Sequence, residues 1–270
     1  MLKSIRKIFR AADAPVKPAV PAGQRVYAMG DIHGRLDLFN ALVDAIEADD
    51  RRRNRLNGSV QTTVILLGDL VDRGPDSAGV LALAREWQRM RRVRILIGNH
   101  EEMMLASLKN TEKMRHFLRY GGRETVLSFG IDPDLYTEAT FDEIMPIIQQ
   151  HVPLAALDFI RSFEDQIRIG DYLFVHAGIR PEVAAEAQRR SDMRWIREPF
   201  LSYNGDHGFV VVHGHTITDD VEVKPNRIGI DTGAYLSGKL TALCLEGQTR
   251  CLIEALDVHG QISTTISAMD

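Results

Sequence analysis

Six apolar runs in this 270-residue chain each end on residues able to bind a metal ion or a phosphate. RVYAM leads into Gly30-Asp31-Ile32-His33-Gly34, and TTVILL into Gly68-Asp69-Leu70-Val71-Asp72-Arg73-Gly74. RILI leads into Gly98-Asn99-His100-Glu101, and YLFV into His176-Ala177-Gly178. FVVV leads into His213-Gly214-His215-Thr216, and RIGI into Asp231-Thr232-Gly233. One such motif alone reads as a turn or a helix cap. Six at corresponding strand ends, rich in Asp, His and Asn, read as one site. Carboxylate and imidazole donors without thiolate suit borderline divalent ions such as Mn2+, Fe2+ or Zn2+, not a cysteine-based structural zinc. Asp31, His33, Asp69, Asn99, His176 and His215 are too many ligands for one tetrahedral ion that keeps an open position. Two ions sharing a carboxylate would use them all, which is the arrangement of hydrolytic phosphoryl transfer. Asp69 is the natural bridge, because its strand is expected to be central.

The elements that must position these residues alternate short apolar runs with longer helical patterns. Strands are predicted over 26–29, 62–67 and 93–97, with helices over 36–48 and 78–90. Residues 101–161 change character, with apolar positions at helical spacing, and predict a helical cap insertion. Strands return at 164–169, 172–175, 209–212, 221–223, 227–230, 240–245 and 250–255. This order gives an α/β protein whose ligands gather where the strands end. The last two strands flank a two-residue hairpin signal, Gly247-Gln248. That turn would set Cys244 opposite Cys251, as small reduced side chains in a packed sheet. The division expected is a basic tail over 1–24, one domain over 25–258 and a C-terminal tail over 259–270.

Composition narrows the classes. Hydrophobic residues at 44% and charged residues at 26% fit a globular protein rather than a disordered one. A formal charge of −4 is too balanced to neutralise many DNA phosphates, so no stable nucleic-acid partner is expected. No run of 18 apolar residues spans a membrane. Two cysteines cannot make a disulfide framework and suit a reducing cytoplasm. The basic N-terminal segment reads either as a solvated tail or, over residues 1–10, as a short amphipathic helix in weak peripheral contact with an anionic surface.

The motifs GDIHG, GDLVDRG, GNHE, a later HAG and a later GHT resemble the phosphoprotein phosphatase family of calcineurin-like metallophosphoesterases. The likeness spans about residues 25–245 and is nearest the bacterial branch, which includes diadenosine tetraphosphatases. It implies a four-layer αββα sandwich of two mixed sheets with a dinuclear centre at its edge. It also implies that a hydroxide bridging the ions attacks phosphorus directly. Asp31 and His33 would bind the first ion, Asn99, His176 and His215 the second, and Asp69 both. His100 would be the general acid, oriented by Asp72. Arg73 would clamp the phosphate, and Arg197, in Trp195-Ile196-Arg197, matches a second clamp. Asp231 would lie behind the ligands, holding a ligating histidine in its tautomer.

Other residues carry less. His213 precedes His215 by two and would share its side of a strand, as a metal contact or as a buried, hydrogen-bonded histidine. Ile217 stands where phosphodiesterases often carry a further histidine, which disfavours nuclease or phosphodiesterase activity. Arg51–Arg53 with Arg55, and Arg91, Arg92 and Arg94, read as solvated helix ends. Met103 and Met104 read as core fillers, and His116 as an ordinary histidine. The resulting expectation is a phosphomonoesterase using two divalent ions, Mn2+ first, on phosphoserine or phosphothreonine proteins. The alternatives are symmetrical hydrolysis of diadenosine tetraphosphate and a non-catalytic scaffold that binds phosphoproteins.

Overall fold

Strands β1 (Gln24–Met29), β2 (Gln61–Leu66) and β3 (Val93–Ile95) are parallel neighbours, linked by α1 (Leu36–Asn57) and α2 (Ser77–Met90). β-branched and aromatic residues fill them, and alternate positions bury on opposite faces. In β1, Tyr27 and Met29 pack toward the helices, while Val26 and Ala28 face a second sheet. The computed structural model describes residues 17–269, so the expected N-terminal helix over 1–10 lies outside the described residues.

The other side of β1 pairs antiparallel with β9 (Lys239–Glu246), followed by β10 (Thr249–Val258) and β11 (Gln261–Met269). The first sheet is therefore ordered β11-β10-β9-β1-β2-β3. The second contains β4 (Gln166–Ile169), β5 (Tyr172–Val175), β6 (Val210–His213), β7 (Glu222–Val223) and β8 (Arg227–Gly229), ordered β4-β5-β6-β8-β7. An apolar layer including Ile65, Leu67, Phe174, Val212 and Ile230 joins the two sheets. Helices cover the outer face of the first sheet. Met193, Ile196 and Phe200, in and after α9 (Arg190–Trp195), cover the outer face of the second. The chain is thus an α/β sandwich of two mixed sheets between helical layers.

Between β3 and β4 run α3 (Asn99–Ser107), α4 (Thr111–Phe117), α5 (Arg123–Ser128), α6 (Pro133–Glu138), α7 (Phe141–His151) and α8 (Leu154–Arg161). Their buried Met104, Met114, Phe117, Val126, Ile144 and Ile148 extend the core beneath α2.

Three expectations change. Residues 261–269, read as part of a tail, form β11, because His259 and Gly260 both take positive φ in a two-residue turn that returns the chain along β10. Helix α1 continues to Asn57, past the predicted end at residue 48. Arg52 and Arg53 extend it by pairing with Asp49 one turn back, at 2.6 and 2.7 Å. Several of the arginines read as solvated are likewise engaged: Arg91 bonds Glu47 at 2.6 Å, and Arg94 pairs with Glu164. Cys244 and Cys251 are cross-strand partners and remain free thiols.

Candidate metal centre

The turns after β1, β2, β3, β5, β6 and β8 meet at one edge of the sandwich. They enclose a cleft of about 500 Å3 lined by Asp31, His33, Asp69, Asn99, His100, His215 and Asp231. The backbone is bent hard to deliver these side chains. His33, Asp69, Asp72, Arg73 and His215 all adopt positive φ, between 47° and 74°. Each such non-glycine residue costs on the order of 1–3 kcal/mol and persists only where surrounding structure dictates it.

Two groups of donors converge on Asp69. His176 Nε2 lies 3.4 Å and His33 Nε2 3.6 Å from its Oδ2. Asn99 Oδ1 sits 2.9 Å from both His176 Nε2 and His215 Nδ1. Asp69, His176 and His215 form one set of facing ligand atoms, and His33, Asp69 and His100 another. His33 Nδ1 donates to the Val71 carbonyl at 2.8 Å and His176 Nδ1 to the Leu67 carbonyl at 2.9 Å, which leaves each Nε2 a lone pair for a cation. Backbone carbonyls fix these tautomers, whereas Asp231 accepts from the Gly233 amide at 2.9 Å and bonds no histidine among the described residues.

The electrostatics would suit a positive charge held among these side chains. Burial raises Asp31 well above the carboxylate range, and Asp231 and Asp69 raise it further. Burial also pushes Asp231 up to about 6. Burial lowers His33 and His215 to about 3, so both rings are neutral at pH 7 and free to ligate. Asp69 is also opposed by burial, yet His176, His100 and His33 hold it below its usual value. Asp31 Oδ1 is buried with no hydrogen-bond partner among the described residues, and a Cβ on Gly214 would lie 2.0 Å from it. An orphaned carboxylate oxygen of this kind fits a cation better than any protein donor. The Asp/His/Asn set therefore fits a pair of divalent ions.

His100 stands beside this centre. Its Nδ1 bonds Asp72 Oδ2 at 2.6 Å, and its Nε2 is 3.0 Å from Arg73 Nη2. Burial opposes a charge on His100, but Asp69 and Asp72 outweigh it and raise the imidazole above its ordinary value. Thr125 from α5 donates to Asp72 Oδ1 at 2.6 Å and accepts from the Asp72 amide at 2.8 Å. Arg73 reaches His33 Nε2 at 3.2 Å and lies over the Tyr235 ring at 4.6 Å. Arg197, in the loop after α9, lines the same cleft.

Several residues here escaped the sequence reading. Glu101 is fully buried, and its carboxylate accepts the amides of Gly98, Asp69 and Leu70 at 2.8–2.9 Å and of Val71 at 3.3 Å. It holds the turns after β2 and β3 together, and its place in GNHE was the only signal. Thr125, Tyr235 and His116 reach the site with no local motif. Met103 lines the cleft as well as packing on the core. His213 does not join the ligands: its Nδ1 bonds the Gly214 carbonyl at 3.0 Å, and its ring meets Phe200. Strand β6 ends at His213 and His215 turns to φ 64°, so the alternation expected to align the two rings is broken.

Comparison with known proteins places the chain in a family. The chain is 30% identical to serine/threonine-protein phosphatase 1 of Salmonella typhimurium, over 81% of this chain and 90% of that protein. It is 27% identical to the asymmetrical bis(5'-nucleosyl)-tetraphosphatase PrpE of Bacillus velezensis, over 79% of this chain and 86% of that protein. The crystal structure of a cold-active protein-tyrosine phosphatase from a psychrophilic Shewanella shares the fold, with a TM-score of 0.52, 19% identity and coverage of 91% and 83%. The sequence model for calcineurin-like phosphoesterases matches residues 24–238, and the chain belongs to that family of metal-dependent hydrolases.

Proposed function

We propose that the chain is a phosphomonoesterase of phosphoserine and phosphothreonine proteins. The observation that carries this reading is the His100–Asp72 pair, 2.6 Å apart beside the ligand cluster. A serine or threonine alkoxide is a poor leaving group and needs a positioned acid, whereas a phosphate leaving group needs one far less. The phosphatase relative, matched over nine-tenths of its length, supports the same substrate class.

Asp31 and His33 would hold one divalent ion, Asn99, His176 and His215 the other, and Asp69 both. Mn2+ is the favoured metal, with Fe2+ or Zn2+ as alternatives. When bound, the two ions supply Lewis acidity and let water act as a nucleophile near neutral pH. Arg73 and Arg197 offer forked N–H donors to the phosphoryl oxygens and orient phosphorus in the cleft. His100 delivers its proton to the departing oxygen, and Asp72 orients the ring and stabilises its charged form. Asp231 shapes the wall behind Asp31. The helices of residues 101–161 form one side of the cleft and contribute to substrate choice. A reducing cytoplasm suits the two free thiols.

A second reading, diadenosine tetraphosphate hydrolysis, is favoured by the rim. Trp195 and Tyr120 are 42% and 51% exposed at the mouth, with His116 4.4 Å from Tyr120, and a base could stack there.

The test is a Mn2+ assay of a phosphopeptide panel against diadenosine tetraphosphate, with Asp69→Asn, His100→Asn and EDTA controls. Preferred turnover of phosphopeptides, lost with chelation and in both variants, is expected. Preference for the dinucleotide would replace the first reading with the second. Activity surviving EDTA and both substitutions would refute the dinuclear centre.

A further inference from the structure

Among the described residues, strand β11 is the outer edge of the six-stranded sheet and is bonded on one side only. Eight of its nine side chains are exposed and the ninth is half-buried, so burial contributes little to holding it in place. The sequence QISTTISAM contains no charge, proline or glycine. Charge and proline are among the devices by which soluble proteins protect an open edge from pairing.

The turn fixes which backbone groups are free. In a two-residue hairpin with positive φ at His259 and Gly260, Val258 and Gln261 form the closing hydrogen-bonded pair. Odd-numbered residues of β11 then bond β10, and the amides and carbonyls of Ile262, Thr264, Ile266 and Ala268 point outward. Ile262 and Ile266 stand opposite Asp257 and Ile253, so both lie on the face that packs against α1. They are 36% and 49% exposed.

We propose that β11 pairs antiparallel with β11 of a second copy of this chain, joining the two sheets across a two-fold axis at Thr264. The segment is complementary to itself in that register. Thr264 meets the partner's Thr264, and Ile262 meets the partner's Ile266 on the same face. Gln261 lies opposite the partner's Ser267, and Ser263 opposite the partner's Thr265. The outward groups of Ile262, Thr264 and Ile266 then all find partners, and no like charges are brought together. The metal-ligand turns lie outside this edge, so the pairing is independent of the catalytic reading.

The full chain is examined by light scattering and sedimentation from about 1 to about 100 μM, where weak interfaces dissociate. A mass of twice 30.3 kDa at the upper end is expected. Amide exchange at Ile262, Thr264 and Ile266 should slow as concentration rises. Thr264→Pro removes only an outward amide, so β10–β11 pairing is kept. It should weaken the dimer about tenfold to a hundredfold, with hydrolysis of p-nitrophenyl phosphate unchanged. Ile266→Lys, at an exposed side chain, should do the same if the proline variant fails to fold. A wild-type monomer throughout the range, whether the edge is covered from within or by an unlike protein, overturns the proposal. So does a dimer that persists unweakened in the folded variants.

Discussion

Thr125→Val isolates the link between the helical insertion and the proposed acid. Valine keeps the volume of threonine, so the fully buried site is not hollowed. What goes is the hydroxyl that donates to Asp72 Oδ1 at 2.6 Å, accepts from its amide at 2.8 Å and meets Ser77 Oγ at 2.8 Å. The Asp72 amide keeps Ser77 Oγ at 3.0 Å, but Oδ1 loses its donor. Leaving that oxygen unmet costs about 1–3 kcal/mol of stability. The same loss frees Asp72 to rotate away from His100, and supporting shells of this kind are worth roughly tenfold to a hundredfold in rate. The assay compares a phosphoserine peptide with p-nitrophenyl phosphate, whose phenolate leaves without help from an acid. We expect kcat on the peptide to fall about tenfold to a hundredfold, or roughly 1.4–2.7 kcal/mol, with KM nearly constant. The aryl ester should change much less, and Thr125→Ser should restore the peptide rate. Asp72 helps hold His100 above its ordinary pKa, so weakening it lowers the pH at which the acid loses its proton. The fall in peptide turnover on the alkaline side should therefore begin at lower pH in the valine variant. Equal losses on both substrates, or none on the peptide, would refute the acid role of His100.

Gly214→Ala places a methyl 2.0 Å from Asp31 Oδ1 and should weaken Mn2+ binding at least about tenfold by calorimetry; unchanged affinity would remove Asp31 from the ligand set. Asp49, with a fully buried side chain, accepts from Tyr27 at 2.8 Å, Arg52 at 2.6 Å and Arg53 at 2.7 Å. Burial works against its charge, but these bonds outweigh burial and depress its pKa. Its contribution is therefore complete above the ordinary carboxylate value near 3.9 and is lost as pH falls through the lower folded value. Asp49→Asn should cost about 1–3 kcal/mol in urea at about pH 7 and less at about pH 3, and an equal gap at both would contradict this account.

The sequence alone determined the strand-end motifs, because β-branched runs, glycine turns and the donors after them are local patterns that each short segment carries complete. From these an α/β protein with its candidate residues gathered at the strand ends was legible, and the family resemblance carried by the same motifs implied the two mixed sheets. The cross-strand placement of Cys244 and Cys251 was legible too, since a two-residue turn fixes register. What failed depended on chain geometry or distant packing. His213 is the buried, hydrogen-bonded histidine of its two readings, but its expected alignment with His215 failed because the strand ends before His215 and alternation holds only within a strand. Strand β11 was missed because a Ser/Thr-rich segment has little apolar patterning, and its partner strand supplies the ladder. Only the tertiary structure brought Thr125 from α5 to Asp72, Tyr235 to Arg73, and the Glu101 carboxylate to four amides of two loops. These contacts join residues up to 162 positions apart in sequence, and no local propensity encodes a distance that exists only after the sheets and helices have packed.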